Sequence, residues 1–251
     1  MTHSHDLAGT TAIVTGAGRG FGSGIAAQLT TAGVHVVGVA RSAADLGSVH
    51  DRLGDAFTPV SADVADPDTA ARLIDEYRPH TLVLCAGAAP HMTPLQQHTW
   101  ETFSQNWHVD VAQAFHWMVQ ALRQPLAPGS RVIAFSSGAA LNGSPLSGGY
   151  AGAKATVRFI ADYAAIESER AGLAVDFVSV LPQLTPATDL GAMAVAAYAE
   201  RQGVDAEAFV ESMPAVLSTE QVGKSVMEIA SGPRREHRAY ALTAAGLSPL
   251  D

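Results

Sequence analysis

The chain has 251 residues, 47% of them hydrophobic and 16% charged, which suits one α/β domain with a large core. Its formal charge of -9 and pI near 5.5 come with no Lys/Arg block able to track a phosphate backbone, which argues against nucleic acid as a partner. Apolar segments such as Gly33 to Ala40 and Thr81 to Ala89 are far short of a bilayer crossing. The polar start Met1 to Asp6 lacks the apolar core of a signal peptide, so a soluble cytoplasmic protein with no membrane partner is expected.

Along the chain, Thr11 to Thr15 reads as a short buried strand. It runs into Thr15-Gly16-Ala17-Gly18-Arg19-Gly20-Phe21-Gly22, which opens a helix carrying Ile25, Ala26 and Leu29. Glycines allow positive φ and close approach of a pyrophosphate, and the free amides and dipole of the following helix favour an anion. The spacing is Gly-x-x-x-Gly-x-Gly, distinct from the commoner Gly-x-Gly-x-x-Gly fingerprint. A second strand, Val34 to Ala40, ends in Val39-Ala40-Arg41-Ser42 with no acid to hold ribose hydroxyls. Further strands are expected at Phe57 to Ala62, Thr81 to Cys85, Ser130 to Ser136, Ala174 to Leu181 and Arg238 to Leu242, with helices between. The pattern predicts a Rossmann-type, doubly wound parallel sheet of about seven strands. Gln97 to Gln124 and Gly148 to Ala171 read as the two longest helices, with apolar residues such as Phe115, Trp117, Phe159 and Ile166 on more than one face.

The second of these helices carries Tyr150 and Lys154, and Ser137 stands thirteen positions before Tyr150. Residues four apart share a helix face, so the Lys154 ammonium can lie beside the Tyr150 phenol and favour its ionisation. The chain has two lysines, Lys154 and Lys224, against thirteen arginines. A compact ammonium can touch a ribose and a phenol together, as a planar guanidinium cannot. The single Cys85 lies in an expected buried strand and is assigned no redox role; His3 and His5 are expected to be solvated, and no metal site is expected. The Arg234 to Arg238 cluster is expected to be an exposed turn.

These motifs, in this order, resemble the short-chain dehydrogenase/reductase family from Thr11 to about Leu242. The resemblance implies cofactor contacts from Thr15, Gly16, Gly18, Arg19, Gly20, Phe21 and Gly22. It implies others from Arg41, Asp63, Val64, Ala86, Gly87, Tyr150, Lys154 and Pro182, with Asp63 on the adenine. It also implies Tyr150 as general acid/base, Ser137 as partner of the substrate oxygen, and Lys154 as holder of the nicotinamide ribose. Arg41, with Arg19 as a second cation, favours NADP(H) over NAD(H), since two cations can clamp a 2′-phosphate. Homodimers or homotetramers through the two long helices are implied as well.

The chain departs from the family pattern at three places. Asp110 stands where the family has a helix asparagine, whose main-chain carbonyl holds a water touching the lysine. Asp110 can do this through its backbone, or its carboxylate can point at Lys154 and form a buried ion pair. Leu84-Cys85-Ala86-Gly87 replaces Asn-Asn-Ala-Gly, and Pro182-Gln183 replaces Pro-Gly. Residues 184–213 are expected to form a substrate lid. His91, Leu141, Asn142, Gln183, Leu184 and Tyr198 are expected around the substrate, with Met193, Phe209 and Met213 as apolar wall. The expected activity is NADP(H)-dependent interconversion of a carbonyl and an alcohol on a small, moderately apolar molecule. The alternative is a redox-neutral isomerase, dehydratase or cyclase using Tyr150 and Ser137 for proton transfer.

Overall fold

The computed structural model describes residues 6–234 and 236–250; His3 and His5 lie outside them. β1 (Thr11–Thr15) feeds α1 (Gly20–Thr31), followed by β2 (His35–Ala40), α2 (Ala43–Leu53), β3 (Phe57–Ser61), α3 (Pro67–Tyr77) and β4 (Thr81–Leu84). Next come α4 (Trp100–Asn106), a π-helical turn (Trp107–Val111), α5 (Ala112–Arg123), β5 (Arg131–Phe135), the short α6 (Ala139–Asn142) and α7 (Tyr150–Arg170). β6 (Asp176–Pro182), α8 (Asp189–Gln202), α9 (Ala206–Ser212), α10 (Thr219–Ser231), β7 (Ala239–Thr243) and β8 (Gly246–Leu250) follow.

The strands form one sheet in the order β3-β2-β1-β4-β5-β6-β7-β8. The first seven pair in parallel, as their nearly continuous apolar runs imply. The eighth was not expected; it pairs antiparallel with β7 and places Pro249 opposite Tyr240. An edge strand needs ladder partners on one side only, which is where proline is tolerated. The helix expected over 97–124 is in fact α4 and α5 joined through the π turn, and the following one begins at Tyr150 itself.

The two faces of the sheet have separate cores. One packs Ile25 and Leu29 of α1 and Val226 and Ile229 of α10 against the strands. The other packs Leu73 and Ile74 of α3, Trp117 of α5 and Ala161 of α7. Trp117 is fully buried, and its indole N–H donates to the Val64 carbonyl at 2.9 Å, which anchors the loop beyond β3. Phe115, Phe159 and Ile166 face outward instead, about half exposed.

Between β5 and β6, Arg131 and Asp176 form a buried pair at 2.8 Å. Arg234 adds ion pairs to Asp176 and Glu169, and Arg238 one to Glu169, so the basic turn before β7 is fastened to α7 and β6.

From β1 the chain builds outward through β2 and β3, then returns to place β4 on β1's other side. The loops leaving β1 and β4 therefore diverge, and a crevice opens at the carboxyl ends of these strands. Among the described residues, no helix is long and apolar enough to cross a membrane.

Candidate active site

A cavity of about 1010 Å³ occupies this crevice. One wall is the turn after β1. Gly16 has φ +70°, and a Cβ there would stand 2.8 Å from Ala86 Cα, so neither the turn nor the contact with the β4 loop admits a side chain. Gly18, Gly20, Phe21 and Gly22 border the cavity beside it. Arg19 occupies the N-cap of α1 and makes no side-chain capping bond, which leaves first-turn amides for an outside anion. These features fit a dinucleotide pyrophosphate.

Thr15 does not meet the cavity as expected. It is fully buried; its hydroxyl donates to Gln113 Oε1 at 2.6 Å and accepts from the Cys85 and Ala86 amides at 2.9 and 3.2 Å. Gln113 in turn donates to the Ala86 carbonyl at 2.9 Å. Thr15 thus fastens β1 to the loop after β4, because its hydroxyl finds partners inside the sheet.

Arg41, Asp63 and Val64 border the cavity beyond β2 and β3, and Ala86, Gly87 and Pro182 border it beyond β4 and at the end of β6. The two expected cations differ. Arg19 is paired at 2.9 Å with Asp189, both largely exposed, whereas Arg41 forms no ion pair among the described residues.

Ser137, Tyr150, Lys154 and Asp110 all border the same cavity. Lys154 Nζ donates to the Phe135 carbonyl at 3.0 Å, lies 2.8 Å from Asp110 Oδ1 and sits 5.8 Å from the Tyr150 ring centre. Of the two arrangements open for Asp110, the structure has the buried ion pair. The other carboxylate oxygen accepts from the Ala88 amide at 3.0 Å and from Asn106 Nδ2 at 3.2 Å. Three donors therefore converge on this side chain, a load for which a carboxylate, all acceptor, is suited and an amide is not. Burial alone would lower the Lys154 pKa; the Asp110 carboxylate, with Tyr150 and Cys85, more than offsets it, and the ammonium is held above its ordinary value.

The π turn carries Asp110, in keeping with the frequency of such bulges at functional sites. It also seats Trp107 against the start of α7, where a Cβ on Gly149, next to Tyr150, would stand 2.5 Å from the indole. Ser136, not singled out from sequence, donates to the Lys154 carbonyl at 2.7 Å and tethers the same helix.

At the other end of the cavity, Asn142, Gln183, Leu184 and Tyr198 are present as expected, with Met92, Met193 and Phe209. His91, Leu141 and Met213 are not among the lining residues. The His91 ring stands edge-on to His98 at 5.9 Å, and Leu141 is 45% exposed. Gln183 donates to the Ala215 carbonyl at 2.6 Å, so its amide ties down the segment after α9. The Tyr198 and Ser144 hydroxyls are hydrogen-bonded to each other. Sequence reasoning missed Ser144 and Thr188; the latter, N-cap of α8, was signalled by a threonine just ahead of an acidic first turn. Among the described residues, no group of three metal-ligating side chains occurs.

Comparison with known proteins gives a consistent result. The family model for short chain dehydrogenase matches residues 10–198. The chain is 30% identical over 182 residues to hydroxynaphthalene reductase arp2 of Aspergillus fumigatus, covering 69% of this chain and 66% of that protein. It is 34% identical over 105 residues to L-xylulose reductase of Mesocricetus auratus, covering 42% and 43%, so it spans less than two thirds of these relatives. A short-chain type dehydrogenase/reductase from Mycobacterium ulcerans superposes with a TM-score of 0.78 at 28% identity, covering 90% of this chain and 84% of that one.

The lone cysteine supplies a test of the site's burial. Cys85 is partly buried, packed against the core on one side and bordering the cavity on the other, and desolvation pushes its thiol up to about 12, against a smaller opposing pull from Lys154. The thiolate is the reactive form, so it is scarce at pH values well below that. The native protein should react slowly with an aromatic disulfide reagent under mildly alkaline conditions and release one thiol equivalent rapidly on denaturation. A fast native reaction would contradict this environment.

Proposed function

Since the chain belongs to the short-chain dehydrogenase/reductase family, we propose that it is an NADP(H)-dependent oxidoreductase interconverting a carbonyl and an alcohol on a small organic molecule. The observation that carries this reading is the meeting of Ser137, Tyr150 and Lys154 on one cavity with the glycine turn. The names of similar proteins agree in kind: hydroxynaphthalene reductase, versicolorin reductase and L-xylulose reductase are all named as reductases.

A bound nicotinamide dinucleotide supplies the hydride. Tyr150 donates the proton that the reduced oxygen needs, and Ser137 donates a hydrogen bond to the same oxygen. Lys154 has three N–H donors. One is directed to Phe135 and one to Asp110, which leaves the third for a ribose hydroxyl or the Tyr150 phenol. Asp110 acts as a positioning residue through Lys154. Its carboxylate already faces three donors, so it is not a free base, and the redox-neutral alternative would rest on Tyr150 and Ser137 alone.

Arg41 supports the preference for NADP(H), since it borders the cavity just beyond β2 and no carboxylate claims it among the described residues. Arg19 would have to leave Asp189 to join it, an exposed pair of the kind worth about 0–1 kcal/mol. Residues 184–213, built from α8 and α9, act as a lid over one catalytic domain. The outward apolar face of α5 and α7 fits a homodimer or homotetramer contact.

Two substitutions test the reading. Tyr150→Phe should lower kcat by about 10²–10⁴-fold while NADPH affinity, followed by fluorescence titration, is largely retained; near-normal turnover would overturn the assignment. Arg41→Ala should weaken NADPH binding by roughly tenfold or more, the scale of a lost charge-assisted contact, and leave NADH binding unchanged. Equal losses for both dinucleotides would refute the 2′-phosphate contact.

A further inference from the structure

Resting on the carbonyl-reducing reading, we propose that the substrate is an uncharged ketone on a ring system with few hydroxyl groups, and that polyhydroxylated ketoses are poor substrates. The first support is the distribution of charge around the cavity. Arg41 and Asp63 follow β2 and β3 and Asp45 lies in the first turn of α2, all at the dinucleotide end. The remaining charged lining residues are matched within the protein: Arg19 with Asp189, and Lys154 with Asp110. Among the described lining residues beyond Tyr150, no uncommitted cation is left to receive a carboxylate or phosphate, and burying such a group unpaired is unfavourable.

The second support is the state of the polar side chains at the substrate end. The Ser144 and Tyr198 hydroxyls are engaged with one another. One Gln183 amide N–H is committed to Ala215 and the Thr185 hydroxyl donates to the Leu217 carbonyl, while Thr188 caps α8 and lies against the glycine turn beside Gly20. Ser137 and Tyr150 serve the reacting oxygen, which leaves Asn142, the Gln183 carbonyl oxygen and second N–H, and one hydroxyl hydrogen of the Ser144–Tyr198 pair for any further substrate group. A ketose would bring several hydroxyls into a wall that offers them few partners, and each one buried without a hydrogen bond loses affinity.

The third support is the rest of that wall. Met92, Leu184, Leu190, Met193 and Phe209 present apolar surface, and the Phe209 and Tyr198 rings lie nearly parallel, with centroids 6.4 Å apart and planes 13° apart. Thioethers and aromatic rings favour contact with a flat ring over contact with hydroxyls.

The experiment compares 1-tetralone, a bicyclic aryl ketone, with xylulose on the whole protein. NADPH oxidation gives kcat/KM for each, and calorimetry gives binding of each to the protein–NADP⁺ complex, independent of turnover. Tetralone should be preferred by about 100-fold or more in kcat/KM, the scale of two unsatisfied hydroxyls, and should bind where xylulose at millimolar concentration does not. Xylulose equal to or better than tetralone on either readout, or failure of the complex to bind tetralone, would overturn the proposal. Binding of tetralone without reduction would uphold the substrate class and reject the carbonyl-reducing reading instead. Met193→Glu, a change on a partly exposed lid helix, should weaken tetralone binding by about tenfold or more, as expected for a charge set against an apolar ligand, with NADPH affinity retained. Unchanged tetralone binding would remove Met193 from the substrate wall and with it this proposal.

Discussion

An ammonium buried to 7% side-chain exposure is the constraint around which this site is arranged. Desolvation there disfavours the charged amine and by itself would lower the Lys154 pKa. Asp110, itself without exposure, meets it directly, and the carboxylate is held in turn by Asn106 and the Ala88 amide. The π turn sets Asp110 at this point, and the loop after β4 passes close enough that a Cβ on Gly87 would stand 2.7 Å from the Asp110 carboxylate. Removing one member of such a pair costs about 3–5 kcal/mol, because the other charge is left buried and alone. The pair therefore joins α7, the π turn, the end of β5 and the β4 loop into one unit.

The rest of the fold brings that unit to the glycine turn across the same cavity. The reversal of strand order between β1 and β4 opens the crevice, and the Thr15 to Gln113 link keeps its two sides in register. Trp117 anchors Val64 at the far end, from within the core the two residues share. Thr15, Gln113 and Trp117 are not among the residues that line the cavity. They fix distances between groups that are, which is how an α/β scaffold positions a site.

Much of this was legible in the sequence because the signals were local. Seven strands show as short apolar runs, the glycine turn has its own spacing, and Tyr150 and Lys154 share a face by helix geometry. β8 was not legible: Gly246–Leu250 is short, contains a proline and pairs only at an edge. The π turn was not legible either, since apolar residues on more than one face of the helix expected over 97–124 hide a one-residue shift in phase. Asp110 could be located but not oriented, because direction depends on Lys154 and Ala88, far along the chain. The same limit explains His91 and Leu141, whose place after a strand does not fix where their side chains turn, and the Arg19 to Asp189 pair, 170 positions apart.

Asp110 keeps Lys154 charged inside the protein, and the rarity of lysine makes this measurable. With lysine labelled at its side-chain carbons, the chain offers signals from Lys154 and Lys224 alone, and a Lys224→Arg variant assigns them. Followed by nuclear magnetic resonance through the alkaline range, Lys154 should hold its proton beyond the ordinary lysine range, and Asp110→Asn should bring its titration down. Loss of the Lys154 proton below that range in the unaltered protein, or no change on replacing Asp110, would contradict this role for the ion pair.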